Sequence, residues 1–283
     1  MSAVLPQHLP GPRRKRRIAL FASAAIVALA LLFAVAASVV TPYDPGELDL
    51  YRVAELPSVQ HPLGTDQLGR DVLSRLIAGA RAPLLGAFLI ALGVAIFGSL
   101  LGVPAGYFGG FLDTFLMRWT DLMIALPSLL VAIVIVSVVG VSFGLSVAIL
   151  TLFTIPYEVR MMRGLAMEQR ALPYVEAAQS AGLGHGLIMV RHIWPNTLRV
   201  LVADTSLNFA FGLIGLSTLS FLGLGAPLGV PDWGRMLFES KELLFDNPVA
   251  AIAPALAISL TAAAAAILGD SGFERFTDGE RER

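Results

Sequence analysis

Side chains capable of chemistry are few in this 283-residue chain, and one serine motif is the first candidate. The spacing Gly140-x-Ser142-x-Gly144 matches a serine-hydrolase nucleophile elbow, which requires a histidine base nearby and a strand-turn-helix context. None of the four histidines lies inside an apolar segment, and no strand pattern precedes the serine. We therefore interpret the motif as a tight turn between helices, with an intramembrane hydrolase as the alternative.

Nucleotide and metal chemistry find no support among the other polar residues. A phosphate-binding loop needs a glycine directly before a lysine, and neither Lys15 nor Lys241, the only lysines, follows a glycine. His185 and His192 could share a helix face, but no third ligand has a suitable spacing, and the chain contains no cysteine. We expect this chain to have no catalytic residue and to bind no cofactor and no metal.

A more promising polar group interrupts an apolar segment late in the chain. Asp204 and Asn208 are four residues apart, so a helix would place them on one face. Polar residues within a membrane span usually face the bundle interior or a water-filled cavity. Asp204, Asn208 and Ser217 are therefore candidates for lining a transport pathway, although Asp204 could instead lie at the membrane interface. Glu158 and Arg160 have the pattern of an interfacial helix end.

A compact segment rich in small residues, 163–197, separates two apolar stretches. Pro173 suits a first helical turn and Gly182 a C-terminal stop, which together predict a short helix. A second helical segment is expected to end at Pro195. The first helix would expose a side suited to close approach by another protein, formed by Ala177, Ala178 and Ala181 with Glu176 as an anionic contact. The segment is either such a docking surface or a hairpin that only joins two spans.

The composition shows which kind of protein carries these residues. With 56% apolar residues, 14% charged residues and a mean hydropathy of +0.74, the chain is too apolar for an ordinary soluble domain. We predict an all-α membrane protein, because each long apolar segment can cross a bilayer as one helix. The six predicted spans are 18–40, 84–107, 115–139 with a kink at Pro127, 143–162, 198–224 and 249–269.

These spans divide the chain into five predicted parts. Residues 1–17 form a basic tail, and 18–40 form the first span, for which a cleaved signal peptide is the alternative. Residues 41–83 form an extracytoplasmic loop that contains an amphipathic helix lying at the membrane interface. A five-helix core, 84–269, contains the polar segment described above, and 270–283 form a charged tail.

The second span carries glycines at every fourth position, Gly98, Gly102 and Gly106. Glycines at this spacing lie on one helix face and allow the backbone of another helix to come close. We therefore expect this face to be a helix–helix contact.

The basic residues indicate how the chain is oriented. Under the six-span prediction, 14 lysines and arginines lie on the side of the N-terminus and 6 on the other side. Because cytoplasmic loops carry the excess of basic residues, both termini and segment 163–197 are predicted to be cytoplasmic in a multi-pass cell-membrane protein. We attribute the basic run at residues 13–17 to orientation, and we expect lipid and not nucleic acid to be its neighbour.

Several motifs together resemble one family. The order of Glu176-Ala-Ala, a glycine six residues later and Pro195 resembles the cytoplasmic loop of permease subunits from binding-protein-dependent ABC importers. Further segments are similar to the second, C-type permease of dipeptide and oligopeptide importers: His61–Arg81, Gly106–Gly110, Tyr174–Ala178, Arg191–Asn196 and Leu219–Gly225. The resemblance covers most of the chain from about residue 61 onward.

The resemblance implies a type I permease fold of six spans, in which the short helix is a coupling helix held in a cleft of an ATPase. It also implies a homologous second permease, ABC ATPase subunits that bind ATP and Mg²⁺, and an extracytoplasmic substrate-binding protein. The residues that it assigns to coupling are Glu176, Ala177, Ala178, Ala181, Gly182, His192 and Pro195.

The expected function is thus a non-catalytic permease subunit that forms half of a pathway for peptides. Nickel chelates, opines and oligosaccharides are the alternative substrates within the class, because related permeases carry them. A secondary transporter or an intramembrane hydrolase that acts alone would be a different class of protein.

Overall fold

The computed structural model describes residues 13–225 and 229–281, and this part of the chain is helical, with no β-strand. The all-α prediction is confirmed. Residues 1–12 of the predicted basic tail lie outside the described residues. In chain order the helices are α1 (Arg13–Val40), α2 (Val72–Ala78), α3 (Arg81–Phe108), α4 (Gly110–Ala125), α5 (Ser128–Val139), α6 (Phe143–Arg170), α7 (Pro173–Ser180), α8 (His185–Ile188), α9 (Trp194–Phe221), α10 (Trp233–Ser240) and α11 (Pro248–Arg281).

Five helical stretches among the described residues are long and apolar enough to cross a membrane, and a sixth is present if α4 and α5 count as one span. The third span was predicted to be continuous with a kink at Pro127. Instead α4 and α5 meet at 79°, because Leu126 has an extended backbone between them. A residue before proline disfavours the helical conformation, and the proline has no N–H to donate.

The glycine face of α3 packs against α6, as predicted. A methyl group added at Gly98 would overlap the side chain of Glu158, and one at Gly102 would lie 2.6 Å from the carbonyl oxygen of Val159. Gly106 meets the backbone of α6 one turn further along. The two helix axes can therefore approach closely along three turns, which fixes the register of α6 on α3.

Helix α6 is longer than predicted at its C-terminal end. The expected end was Met162, but the helix passes Pro156 without a break and continues to Arg170. A proline is tolerated within a membrane helix where neighbouring helices enclose it, and Pro156 is buried. The eight residues assigned to the polar segment are thus an extension of the span.

The start of α9 also differs from the prediction. A short helical segment was expected to end at Pro195, before a separate span that begins at residue 198. Instead α8, a π-helical turn at Met189–Ile193 and α9 form one continuous stretch, His185–Phe221. The wider π-helical turn lies directly before Pro195 and gives room for a ring that cannot donate a hydrogen bond. The polar segment is consequently reduced to α7 and its short connections.

Residues 41–80 and 229–247 pack together as a polar cap at one end of the bundle. The indole Nε1 of Trp233 donates to the carbonyl oxygen of Leu76 at 2.8 Å. The side-chain amide of Asn247 donates to two backbone carbonyls of the first segment, each at 3.1 Å. These contacts join segments that are more than 150 residues apart in the chain.

Within the polar cap, the buried Asp66 and the half-buried Glu239 are held by three arginines, and we call this group the cap cluster. Asp66 accepts from Arg70 Nε at 2.7 Å. Glu239 accepts from Arg70 at 2.7 Å, from Arg75 at 2.8 Å and from Arg235 at 3.0 Å. Both carboxylates are therefore paired with guanidinium groups, and the three arginines leave the cluster with one positive charge in excess.

Helix α2 lies inside the polar cap, and its location relative to the membrane interface stays a prediction. Asp71 caps it by accepting from the backbone N–H of Ser74 at 2.7 Å. The polar side of the helix is enclosed because Arg75 is only 1% exposed. At the other cap helix, α10, burial raises the pKa of the capping carboxyl group of Asp232 above its ordinary value.

Candidate functional site

Helix α7 is attached to the bundle along one edge. Val175 and Ala178 are buried in an apolar cluster with residues of α3, α6, α8 and α9. The hydroxyl of Tyr174 donates to Gln169 Oε1 at 2.7 Å and accepts from Asn196 Nδ2 at 3.1 Å. Tyr174 thus connects α7 to both α6 and α9 by side-chain hydrogen bonds.

The other side of α7 is open. Glu176, Ala177 and Ala181 are exposed, and nothing lies within 4 Å of a methyl group built on Gly182. Gly182 ends the helix as predicted, with φ +80°. The prediction that Ala178 shares the open side is wrong, because its side chain packs against its own chain. The open surface is therefore formed by Glu176, Ala177, Ala181 and Gly182.

The remaining residues predicted for coupling lie close to this surface. His192 is half-buried in the π-helical turn, with its ring 6.3 Å from the ring of Tyr174. Pro195 is exposed in the first turn of α9. The start of α8 is fixed by a 2.9 Å hydrogen bond between the Tyr107 hydroxyl and His185 Nδ1. Tyr107 is near the end of α3, whereas the polar cap lies at the start of that helix. The open surface of α7 and the polar cap are therefore about 40 Å apart along α3.

A cavity of about 450 Å³ opens between the start of α5, α6 and α9. The two Nδ2 hydrogens of Asn208 are directed at two carboxylates, Glu158 Oε2 and Asp204 Oδ2, each at 2.8 Å. Asp204 and Asn208 share a helix face as predicted. We call Glu158, Asp204 and Asn208 the cavity cluster, and its three members all line the cavity.

Glu158 is the member that sequence reasoning missed. The expectation of an interfacial helix end is wrong for this residue, because its side chain is only 2% exposed. Arg160 forms an exposed ion pair with Asp121, and it is not at a helix end either, because α6 continues to Arg170. The sequence did contain one signal, since a glycine-lined face such as that at Gly98 leaves room for a side chain of the opposite helix. Which side chain fills that room depends on the packing register.

Two other residues singled out by sequence lie elsewhere. Ser217 is buried next to Gly234 of α10 and is not among the described residues that line the cavity. Ser142 directly precedes α6, in the turn after α5, so the strand-turn-helix context of a nucleophile elbow is not present there. Within the described ranges, no three histidine or acidic side chains come together as potential metal ligands.

Comparison with known proteins assigns this architecture to a family. Residues 98–277 match the family described as binding-protein-dependent transport system inner membrane component. The chain is 39% identical to the glutathione transport system permease protein GsiD of Pectobacterium atrosepticum, over 85% of this chain and 81% of that protein. It is 33% identical to the dipeptide transport system permease protein DppC of Alkalihalophilus pseudofirmus, over 87% and 81%. It is also 37% identical to a GsiD protein of Escherichia coli, over 94% and 88%.

Proposed function

The chain belongs to the family of binding-protein-dependent transport system inner membrane components, and from that premise we propose that it is a permease subunit of an ATP-driven peptide importer. Its relatives are named for the transport of glutathione and of dipeptides. Both are short peptides, which supports a short peptide as the substrate here. The chain itself would be non-catalytic, with ATP and Mg²⁺ bound by separate ATPase subunits.

The observation that carries this proposal is the combination of an open and an anchored side on α7. The open surface of small residues lets a partner come within contact distance, and Glu176 offers that partner one negative charge. The anchored side is tied to α6 and α9 through Tyr174. Helix α7 would therefore be the docking element for an ATPase, and α6 and α9 would carry its movement to the cavity, where Asp204 and Asn208 would line the pathway.

The same proposal includes three partners and an orientation. A homologous permease would complete the pathway, and an extracytoplasmic binding protein would deliver the peptide to the polar cap. The excess of basic residues supports a cytoplasmic α7 and an extracytoplasmic polar cap. Co-purification of the tagged chain from its native membrane should recover an ATPase and a second permease. Isolation as a lone, transport-competent subunit would contradict the importer function.

Orientation can be tested without background, because the chain has no native cysteine. We expect a membrane-impermeant maleimide added to intact cells to label Val59→Cys, a fully exposed position in the polar cap. It should label Ser180→Cys in α7 only after the membrane is broken. The reverse pattern would place α7 on the outside and exclude an ATPase partner in the cytoplasm.

Docking can be tested at Gly182. Gly182→Asp adds bulk and charge to the open surface, so ATP-dependent peptide uptake in proteoliposomes should fall by at least about tenfold, equivalent to about 1.4 kcal/mol of lost docking. Gly140→Asp is the matched control, because Gly140 also has a positive φ and open surroundings but lies in the turn between α5 and α6, outside α7 and the polar cap. Equal uptake by the two variants, at equal membrane levels, would contradict docking through α7.

A further inference from the structure

The cavity cluster contains two carboxylates and no cation. Asn208 donates its two Nδ2 hydrogens to Glu158 and Asp204, so its side-chain amide has no further donor for these carboxylates. Among the described residues that line the cavity there is no lysine, arginine or histidine. The nearby cations Arg160 and Arg163 are engaged by Asp121 and Asp113. The charge of the cavity is therefore not balanced by the side chains that form it.

One carboxylate oxygen of this cluster has an unmet need for a donor. Glu158 Oε1 is fully buried and has no hydrogen-bond partner among the described residues. The residue as a whole is 2% exposed. Leaving an acceptor of a charged group without a donor in such surroundings is costly. The position is enforced by packing, because the stem of Glu158 fills the space at Gly98. The stem of the side chain is therefore held between α3 and α6.

The walls of the cavity suit an organic cation more than a bare metal ion. Phe153, Met161 and Phe211 form its apolar lining, and Tyr157 adds a second kind of aromatic surface. Aromatic faces attract ammonium and guanidinium groups, and apolar walls accept the carbon atoms attached to them. A volume of about 450 Å³ is within the range of sites for small molecules.

From these observations we propose that the cavity cluster is a binding site for the ammonium group of the transported molecule, with Glu158 and Asp204 as its counter-ions. The ammonium would donate to the carboxylates of Glu158 and Asp204, while Asn208 holds the two carboxylates at a fixed separation. The identity of the ligand as a peptide rests on the proposed function, whereas the cation preference rests on the cavity alone. A free amino terminus or a lysine side chain would supply the group.

The competing occupant is a proton shared by the two carboxyl groups, as happens when two carboxylates occupy one site. A shared proton would leave the cavity without a preference for cations. The test must therefore distinguish an organic cation from a neutral molecule of nearly equal size, and it must not depend on the selectivity of a binding protein.

The experiment uses the complete purified complex and dicyclohexylcarbodiimide, an apolar reagent for carboxyl groups, with labelling of Glu158 located by peptide mass spectrometry. Alanine amide is the cationic probe and N-acetylalanine amide the neutral one. We expect alanine amide to slow the labelling of Glu158 by at least about tenfold at saturation, as for a site that is nine-tenths occupied or more. The neutral probe should have no effect.

Two variants make the result specific to the cavity. Asp204→Asn should raise the concentration of alanine amide that gives half-protection by about tenfold, because one counter-ion is lost. Glu242→Gln, which removes an exposed carboxylate outside the cavity, should leave it unchanged. Equal labelling with both probes, including no labelling with either, would overturn the proposal, and so would protection that is indifferent to Asp204→Asn.

This outcome is separable from that of the proposed function. Peptide uptake without protection by alanine amide would retain the importer and exclude the cation site. Protection by alanine amide without ATP-dependent peptide uptake would retain the cation site and exclude the peptide importer.

Discussion

The cap cluster and the cavity cluster are two groups of acids in one chain that are neutralised in different ways. In the cap cluster, three arginines surround Asp66 and Glu239 with short ion pairs. In the cavity cluster, Glu158 and Asp204 both accept from the amide of Asn208, and no cation is among the described residues that line the cavity. Ion pairs with several arginines make the first cluster a cross-link within the fold, although Arg75 Nη1 has no hydrogen-bond partner within the described ranges. The second cluster has no cation in its described lining and can receive one from outside.

The largest expected effect comes from breaking the cap cluster. Glu239→Gln removes an acid that three arginines share, leaving buried guanidinium groups with too few acceptors, so the free energy of unfolding should fall by about 3–5 kcal/mol. Denaturant titration of the purified protein in micelles would measure it. Glu242→Gln, a change at an exposed position three residues away, is the control and should have almost no effect. A loss as small as that of the control would mean that the cap cluster is not a cross-link.

A smaller effect is expected from overpacking the contact between α3 and α6, where the stem of Glu158 in the cavity cluster is held. Gly98→Ala introduces a methyl group into the space of the Glu158 side chain, and overpacking of this kind costs about 1–3 kcal/mol. Gly215→Ala is the matched control, because its methyl group would make ordinary contact with Leu150 at 3.4 Å. The measurement is the same denaturant titration. Equal stability of the two variants would show that Glu158 can move freely, which would weaken the case for a fixed carboxylate.

The smallest expected effect is the most informative one. Glu158→Gln should change the free energy of unfolding by less than about 1 kcal/mol or increase it, since it removes a buried carboxyl group that no cation in the described lining pairs with and keeps the acceptor for Asn208. Transport of a peptide with a free amino group should nevertheless decline. If the substitution destabilises the protein as much as Glu239→Gln does, Glu158 is part of a structural cross-link and the contrast between the clusters disappears.

The sequence predicted the apolar helices, the glycine contact of α3 and the stop at Gly182, because each depends on local pattern. The sequence did not predict the features that depend on contacts between residues far apart in the chain. The extension of α6 past Met162, the passage of α9 through Pro195 and the buried side of Ala178 all depend on neighbouring helices. Asp204 and Asn208 were found from their own spacing, whereas Glu158 joins them across 50 residues.

The dual attachment of Tyr174 has a thermodynamic consequence. From Glu158, α6 runs about 18 Å to its end beside α7, and α9 carries the other carboxylate a comparable distance from its start. If a protein bound to α7 shifts one of these helices against the other, it changes the separation of the cavity carboxylates and hence their affinity for a ligand. Linkage then requires the ligand to change the affinity of that protein for α7 by the same factor. A single ratio of equilibrium constants would thus describe the communication in both directions.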